Sequence, residues 1–225
     1  QLSLKDGVTS AVRCILTDKQ GFVWIGTKAG ISRYDGHELK KYVYSPNNPH
    51  SIPNNLIHQI AEDEMSNIWI LTDKGIARYQ RQSDDFFLPT DEKGNPIIAY
   101  STCLTKDGVL FGSKDKVYFY SYRDSSLRLL QKLNKGNNFN ISLLSLWNEH
   151  TVLCCSRWQG LALLDLKTGK HRLPPFDCGK EIMNMLIDSQ NRIWIAPYNE
   201  GIKCFTQNGE LVKAYTTHNS DLSNT

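Results

Sequence analysis

The sequence predicts an all-β chain built from about five four-stranded repeats, and three observations carry this prediction. A phrase recurs along the 225 residues, as ILTDKQGFVWIGTKAGISRYDG from Ile15 and as IAEDEMSNIWILTDKGIARYQR from Ile60. Each copy divides into short alternating or β-rich runs that are separated by turn signals. The anchor positions of five copies lie 45, 42, 42 and 41 residues apart, a period typical of the blades of a β-propeller. These anchors are Trp24, Trp69, Phe111, Leu153 and Trp194.

The repeats predict where one blade ends and the next begins. The last residues, YTTHNSDLSNT from Tyr215, parallel YSPNNPHSIPNN from Tyr44, which leads into the second blade. We therefore expect an incomplete ring from a larger, seven-bladed propeller, in which the opening QLSL would supply the outer strand of the last blade. The predicted blades span about 8–45, 54–89, 96–133, 139–174 and 180–216, with the start of a sixth repeat at 217–225.

Composition argues against several kinds of partner. The 26 basic and 23 acidic residues are interspersed, and no basic block suits a phosphate backbone, so nucleic acid is not an expected partner. No run approaches eighteen apolar residues, so we expect no membrane contact by this segment. The six cysteines show no metal-ligand spacing and are interpreted as buried free thiols; we expect no metal and no cofactor.

Three types of residue recur for structural reasons. The tryptophan of the second strand is interpreted as packing against the next blade, because each blade must bury one face on its neighbour. The late glycine ends the second turn of its blade, where a positive φ is expected. The structural repeat residues are Asp18, Trp24 and Gly30 in blade 1, Asp63, Trp69 and Gly75 in blade 2, and Asp188, Trp194 and Gly201 in blade 5.

The recurring phrase resembles the two-component regulator propeller repeat, which is met in the sensor regions of bacterial hybrid histidine kinases. Blade 1 carries the likeness in Asp18, Gly21, Trp24–Thr27, Gly30 and Arg33–Tyr34, and blade 2 repeats most of it. Blade 5 departs from the family phrase at APYNEG, and blades 3 and 4 replace the tryptophan by Phe111 and Leu153. The assignment of those blades depends on the spacing of the repeats more than on the motif.

This resemblance implies an extracytoplasmic, periplasmic sensing propeller of a hybrid two-component receptor. Such a receptor would detect oligosaccharides and control polysaccharide-utilisation genes. The resemblance implies no enzyme activity for this fragment, although its full-length parent is expected to be a histidine kinase. The expected partners are an oligosaccharide, the remaining blades of the parent receptor and a second copy in a homodimer.

A ligand site is predicted at the second turns of blades 4 and 5. The glycine follows the anchor by six residues in blades 1 and 2 but by seven in blades 4 and 5, so the latter turns are one residue longer. An aromatic ring beside hydrogen-bonding groups suits stacking on a sugar and binding its hydroxyls. The alternative is that Trp158 packs on a neighbouring crossover and Tyr198 caps a blade edge. The candidate ligand-binding residues are Arg157, Trp158, Gln159, Tyr198, Asn199 and Glu200.

Two other classes of function stay open at this stage. Propellers host glycosidases and lyases, but we find no arginine cluster with a Tyr–Glu nucleophile pair and an acid on one face. A protein-interaction scaffold is compatible with the fold class. The phrase GTKAG from Gly26 and the lack of a GH–WD signature argue against the scaffold.

Overall fold

A computed structural model describes residues 11–133, 139–179, 181–216 and 219. The opening QLSL and, apart from Asn219, the predicted start of a sixth repeat lie outside the described residues. The described residues form an all-β chain of five four-stranded antiparallel sheets, each ordered as its strands occur in the chain. The predicted fold class, four-stranded propeller blades, is confirmed.

Short strands joined by tight turns make up every sheet. A run of valine, isoleucine and aromatic residues favours each of the inner strands, because these side chains pack well on a pleated surface. Each sheet is a meander, in which every strand pairs with the next one along the chain. The strands are β1 (Val12–Thr17), β2 (Val23–Thr27), β3 (Gly30–Tyr34), β4 (Leu39–Tyr42), β5 (Ile57–Glu62), β6 (Ile68–Thr72), β7 (Gly75–Gln80), β8 (Asp85–Phe87), β9 (Ser101–Thr105), β10 (Gly108–Ser113), β11 (Lys116–Ser121), β12 (Leu127–Lys132), β13 (Ile141–Asn148), β14 (Thr151–Ser156), β15 (Gly160–Asp165), β16 (His171–Arg172), β17 (Ile182–Ile187), β18 (Ile193–Pro197), β19 (Ile202–Phe205) and β20 (Leu211–Tyr215).

The chain divides into two compact units, and the division passes through the third sheet. The first unit comprises the described residues up to Val109 together with Phe119–Arg128. The second comprises Leu110–Tyr118 and the described residues from Leu129 onward. Blades 1 and 2 therefore belong to the first unit, and blades 4 and 5 belong to the second.

In the first unit, an aromatic core fills the space between blades 1 and 2. Trp24 is completely buried, and the ring of Tyr79 from blade 2 meets it edge-on at a centroid distance of 4.8 Å. Tyr42 of its own blade stacks on Trp24 at 6.2 Å. Isoleucines of the second sheet close the layer. The buried members are Trp24, Ile31, Tyr42, Ile52, Ile57, Ile60, Ile68, Ile70, Ala77, Tyr79 and Phe86.

At one edge of this core, the carboxylate of Asp84 accepts hydrogen bonds from side chains of both blades. It accepts bonds from the hydroxyls of Tyr42 (2.6 Å) and Tyr79 (2.5 Å), from Lys40, and from Arg33 at 3.3 Å. Partial burial alone would raise the pKa of Asp84, but the bonds from Lys40, Tyr42 and Tyr79 outweigh it and lower the pKa to about 2. The charged carboxylate therefore joins two blades.

In the second unit, blades 4 and 5 pack through aliphatic side chains, thiols and aromatic rings. Leu153 occupies the anchor position where blade 1 has its tryptophan, and it is completely buried. Phe176, from the segment that connects the two blades, stacks on Phe205 at 4.5 Å. The buried members are Trp147, Leu153, Cys155, Leu161, Leu163, Cys178, Ile182, Met185, Ile193, Ile195 and Phe205.

Five of the six cysteines are buried. Burial raises the pKa of the Cys155 thiol to about 12 and that of Cys178 to about 11. Both thiols are therefore protonated at neutral pH and act as small apolar side chains in the core.

The aspartate of the repeat binds the indole of the repeat tryptophan, a contact that the sequence analysis did not predict. Asp18 accepts backbone hydrogen bonds from Gln20 and Phe22 within its turn, and its second oxygen accepts the indole N–H of Trp24 at 3.0 Å. The corresponding indole bonds are 2.7 Å from Trp69 to Asp63 and 2.8 Å from Trp194 to Asp188. Each aspartate therefore closes a turn and fixes the ring that packs between blades. The constant offset of six residues between aspartate and tryptophan was the signal for this bond.

Two glycines end second turns at points where no other residue fits well. Gly30 has φ 111° and Gly201 has φ 77°, values that favour glycine. A Cβ at Gly30 would lie 2.5 Å from the carbonyl oxygen of Tyr42, and one at Gly201 would lie 2.0 Å from that of Tyr215. Both turns thus need a positive φ and a close approach to the fourth strand.

Candidate functional site

Within each unit, the second turns of the blades are bonded to the segments that lead into a following blade. The backbone N–H of Gly30 donates to the carbonyl of Asn55 at 2.8 Å, and Ile141 donates to Lys114 at 2.8 Å. In blade 4 the corresponding bond runs from Ile182 to Arg157 at 2.9 Å. Second turns and crossovers therefore share one face of their blades, as the antiparallel connections require.

The second turn of blade 4 presents an aromatic ring to solvent. Trp158 follows β14 and is 62% exposed. The guanidinium of Arg157 lies 5.1 Å from the centre of that ring and also bonds the sulfur of Met183 at 3.4 Å. Gln159 anchors the turn by donating its backbone N–H to Ser156 at 3.3 Å. The turn thus offers an indole face beside a cation.

The second turn of blade 5 presents a second aromatic ring, that of Tyr198, which is 54% exposed. Asn199 holds a positive φ of 57°, a conformation that asparagine adopts more readily than most residues. The carboxylate of Glu200 accepts a hydrogen bond from Lys203 at 2.5 Å. An exposed phenol therefore lies beside an amide and an ion pair.

The two turns are tied to the same dipeptide. Ile182 donates its N–H to the carbonyl of Arg157, and the carbonyl of Glu181 accepts the N–H of Tyr198 at 2.8 Å. Because neighbouring peptide units of one short segment hold both turns, the turns that carry Trp158 and Tyr198 lie beside each other on blades 4 and 5. The backbone, and not a mobile side chain, fixes the spacing of these turns.

Sequence reasoning missed three members of this surface. Lys203 pairs with Glu200, Met183 contacts Arg157, and Glu181 bridges to the turn of blade 5. Lys203 lies three residues after Glu200, a spacing that could have been noticed. Met183 gave no signal, because it meets Arg157 only through the packing of the fifth sheet on the fourth. Glu181 contributes only its backbone carbonyl, beside the pairing of β17 with β18 in its own sheet.

The described part of the chain contains neither a cluster of metal-ligating side chains nor a membrane-spanning helix. Across residues 11–133, 139–179 and 181–216, no group of three or more His, Cys, Asp or Glu side chains could hold a metal ion. No helix in those same ranges is long and apolar enough to span a membrane.

The sheets, their repeat and their turns define the class of the molecule as a propeller of four-stranded blades. Within that class, residues 6–29 match the family model described as two component regulator propeller. The matched segment includes Asp18, Trp24 and the start of the second turn of blade 1. The resemblance stated above is confirmed for this segment, which carries the two-component regulator propeller repeat. A comparison with curated proteins gave no significant match.

Solved structures share the fold at low sequence identity. The extracellular domain of a hybrid two component system from B. thetaiotaomicron has a TM-score of 0.75 and 18% identity, covering 94% of this chain and 31% of that one. The extracellular domain of a one component system from the same organism gives 0.75 and 17%, covering 92% and 31%. A catalytically inactive virginiamycin B lyase from Staphylococcus aureus gives 0.67 and 14%, covering 96% and 72%. The chain thus spans about a third of the two sensor domains, and these likenesses concern the fold.

Proposed function

We propose that the chain is part of the ligand-sensing propeller of a hybrid two-component receptor and that its ligand is an oligosaccharide. The match of the first repeat to the regulator propeller family supports the receptor context. The fold shared with two extracellular sensor domains supports an extracytoplasmic, periplasmic location. The parent would be a histidine kinase that controls polysaccharide-utilisation genes.

One observation carries the ligand proposal: two exposed aromatic rings lie on turns that the same dipeptide holds. Exposed aromatic rings with adjacent polar groups are the usual components of sugar sites, because the ring face packs on C–H groups and the polar groups bind hydroxyls. Trp158 would supply one platform and Tyr198 the other. Arg157, Gln159, Asn199 and Glu200 would bind the hydroxyls.

Signalling requires that the ligand distinguish two states of the receptor. A ligand that binds both arrangements of a paired receptor equally well transmits nothing. We therefore propose a homodimeric parent in which oligosaccharide binding favours one arrangement. The bound sugar would bias that equilibrium through the turns of blades 4 and 5.

Calorimetry with a panel of oligosaccharides tests the ligand proposal on the receptor's propeller domain. Trp158→Ala and Tyr198→Ala should each weaken binding at least about tenfold, since base or sugar stacking on one ring contributes on the order of 1–3 kcal/mol. Tyr44→Ala is the matched control, because Tyr44 is also an exposed aromatic residue but lies on the crossover that follows blade 1. Unchanged affinity in both ring variants, with a hit in the panel, would place the ligand elsewhere.

The lyase likeness concerns the fold alone, at 14% identity. If calorimetry shows that no sugar binds but a protein partner does, the chain would instead be a protein-interaction scaffold. The two exposed rings would then be contacts for that partner.

A further inference from the structure

Two arginines occupy the same position in blades 1 and 2 but differ in their partners. Arg33 of β3 and Arg78 of β7 each pair across their sheet with the repeat tryptophan. Each guanidinium donates to a tyrosine hydroxyl of the following blade, Arg33 to Tyr79 and Arg78 to Tyr120. The two arginines are therefore equivalent, and any difference between their partners comes from the residues around them.

A carboxylate completes the arrangement around Arg33. Asp84 accepts the hydroxyl of Tyr79 at 2.5 Å and the guanidinium of Arg33 at 3.3 Å. Asp84 lies five residues after Tyr79 and has φ 54°. Ser125 lies five residues after Tyr120 and has φ 53°. The equal offset and the equal backbone conformation show that Ser125 is the counterpart of Asp84, and it brings no carboxylate.

Arg78 and Tyr120 are thus two hydrogen-bond donors that lack the acceptor of the equivalent pair. Within residues 11–133, 139–179 and 181–216, Arg78 donates to the Tyr120 hydroxyl and pairs with no carboxylate. The Asp63 carboxylate of the same blade is already engaged by the indole of Trp69 and the amide of Asn67. Tyr120 is only 2% exposed, so its hydroxyl is oriented by its surroundings.

Aromatic rings hold the guanidinium of Arg78 in place. It lies 5.2 Å from the ring centre of Phe87, 5.6 Å from that of Tyr120 and 6.0 Å from that of Trp69. Arg78 is also partly buried. A guanidinium that is fixed in this way can bind a carboxylate or a sulfate through two parallel N–H bonds, with little further loss of side-chain freedom.

A groove beside Arg78 gives a small solute room to approach. Its volume is about 480 Å³, and neutral polar side chains line it together with Arg78, among them Asn67, Gln82 and Ser83. These residues belong to the first and third turns of blade 2 or lie beside them. The groove is therefore on the face of the blade opposite to the second turns.

We propose that Arg78 and Tyr120 form a binding site for an oxyanion, a carboxylate or a sulfate, which takes the place that Asp84 occupies between blades 1 and 2. The anion would accept N–H bonds from the guanidinium and the O–H of the tyrosine. The site involves neither Trp158 nor Tyr198, so it is independent of the proposed oligosaccharide site.

Inorganic sulfate is the first probe, applied to the full chain at constant ionic strength with chloride as the background anion. Calorimetry should show saturable binding, and the thermal midpoint should rise by about 3 °C at ten times the Kd. Arg78→Gln should remove this response. Sulfate also stabilises proteins in general, but that effect is common to all variants, so the difference between variants reports the site.

Ser125→Asp restores the carboxylate of the equivalent blade and makes the sharper test. Aspartate tolerates the positive φ of this position. The variant should have a higher midpoint than the wild type without sulfate, and its response to sulfate should fall to within about 1 °C. Ser189→Asp is the matched control, because it adds the same charge to an exposed turn of blade 5 and should keep the full response.

A second series with acetate, glucuronate and glucose distinguishes the sources of the anion. Tighter binding of glucuronate than of acetate would assign the carboxylate to a sugar, and equal binding would assign the site to a free anion. The proposal is overturned if the wild type shows no saturable response, if the response persists in Arg78→Gln or Ser125→Asp, or if glucose binds as well as glucuronate. Loss of the response in Ser189→Asp would also overturn it, since net charge alone would then explain the effect.

Discussion

The layer between blades 1 and 2 and the layer between blades 4 and 5 are both buried, but different side chains fill them. The first pair uses Trp24, Tyr42 and Tyr79 in edge-on and stacked contacts. The second pair has Leu153 at the anchor position, and the rings of Trp147, Phe176 and Phe205 pack beside it. The difference shows that the repeat requires a filled layer, and that an aliphatic side chain can take the place of the anchor tryptophan within it.

The two pairs of blades also differ in the side chains beside this layer. In the first pair, the Asp84 carboxylate and two tyrosine hydroxyls hold one blade to the next. In the second pair, the aromatic side chains of the longer turns, Trp158 and Tyr198, are exposed instead of packed between sheets. The second turns of blades 4 and 5 therefore display rings at the surface, whereas Trp24, Tyr42 and Tyr79 of blades 1 and 2 are buried between the sheets.

The largest expected loss of stability follows from replacing Trp24, and it should exceed the loss from replacing Trp194 of the same motif. Trp24→Ala should reduce the free energy of unfolding by about 4 kcal/mol, because it empties a buried site. Trp194→Ala should cost about 2 kcal/mol, since that ring is half-buried in this chain. Urea denaturation of both variants measures the difference. Equal losses would contradict the difference in burial between the two rings.

Removal of the carboxylate that joins blades 1 and 2 should have the next largest effect. Asp84→Ala leaves Lys40 and two tyrosine hydroxyls without their acceptor and should cost about 2 kcal/mol at pH 7. Glu200→Ala, which breaks an exposed ion pair in the second unit, should cost less than about 0.5 kcal/mol and serves as the control. A comparable loss in both variants would show that Asp84 is not a joint between blades.

The same carboxylate predicts a dependence of stability on pH. Its folded pKa of about 2 lies below the value of roughly 3.9 for an unfolded aspartate, so its contribution is complete above about pH 5. That contribution is lost as the pH falls from about 5 to 2. The stability difference between the wild type and Asp84→Asn should therefore narrow over this range in acid titrations of the unfolding free energy. A difference independent of pH would mean that the charge of Asp84 has no part in it.

The smallest expected loss of stability follows from substitutions at the candidate site. Trp158→Ala and Tyr198→Ala should each change the free energy of unfolding by less than about 0.5 kcal/mol, because both rings are mainly exposed. Thermal denaturation of the two variants beside Trp24→Ala measures this. A loss above 1 kcal/mol would favour the alternative that these rings pack on a crossover or cap a blade edge.

The sequence by itself determined the fold class and the repeat. The repeat could be predicted because strands and turns depend on residues that are close together in the sequence. Trp24, Trp69 and Trp194 therefore recur with turn residues at constant offsets. The extra residue in the turns of blades 4 and 5 was visible in the same way. What each of these turns contacts was not visible, because those contacts join residues far apart in the chain.

Only the tertiary structure decided which side chains meet. Asp84 gathers partners from β3, β4 and β7, and no local signal marks it. Glu181 and Ile182 hold two turns that lie about forty residues apart in the chain. The pairing of β17 with β18 places the turn of blade 5, and the packing of the fifth sheet on the fourth places the turn of blade 4. The half-burial of Trp194 also followed from packing, because the tryptophan of the same motif is completely buried in blade 1. Sequence thus specifies the repeating unit, while the surfaces of its copies depend on what packs against each one.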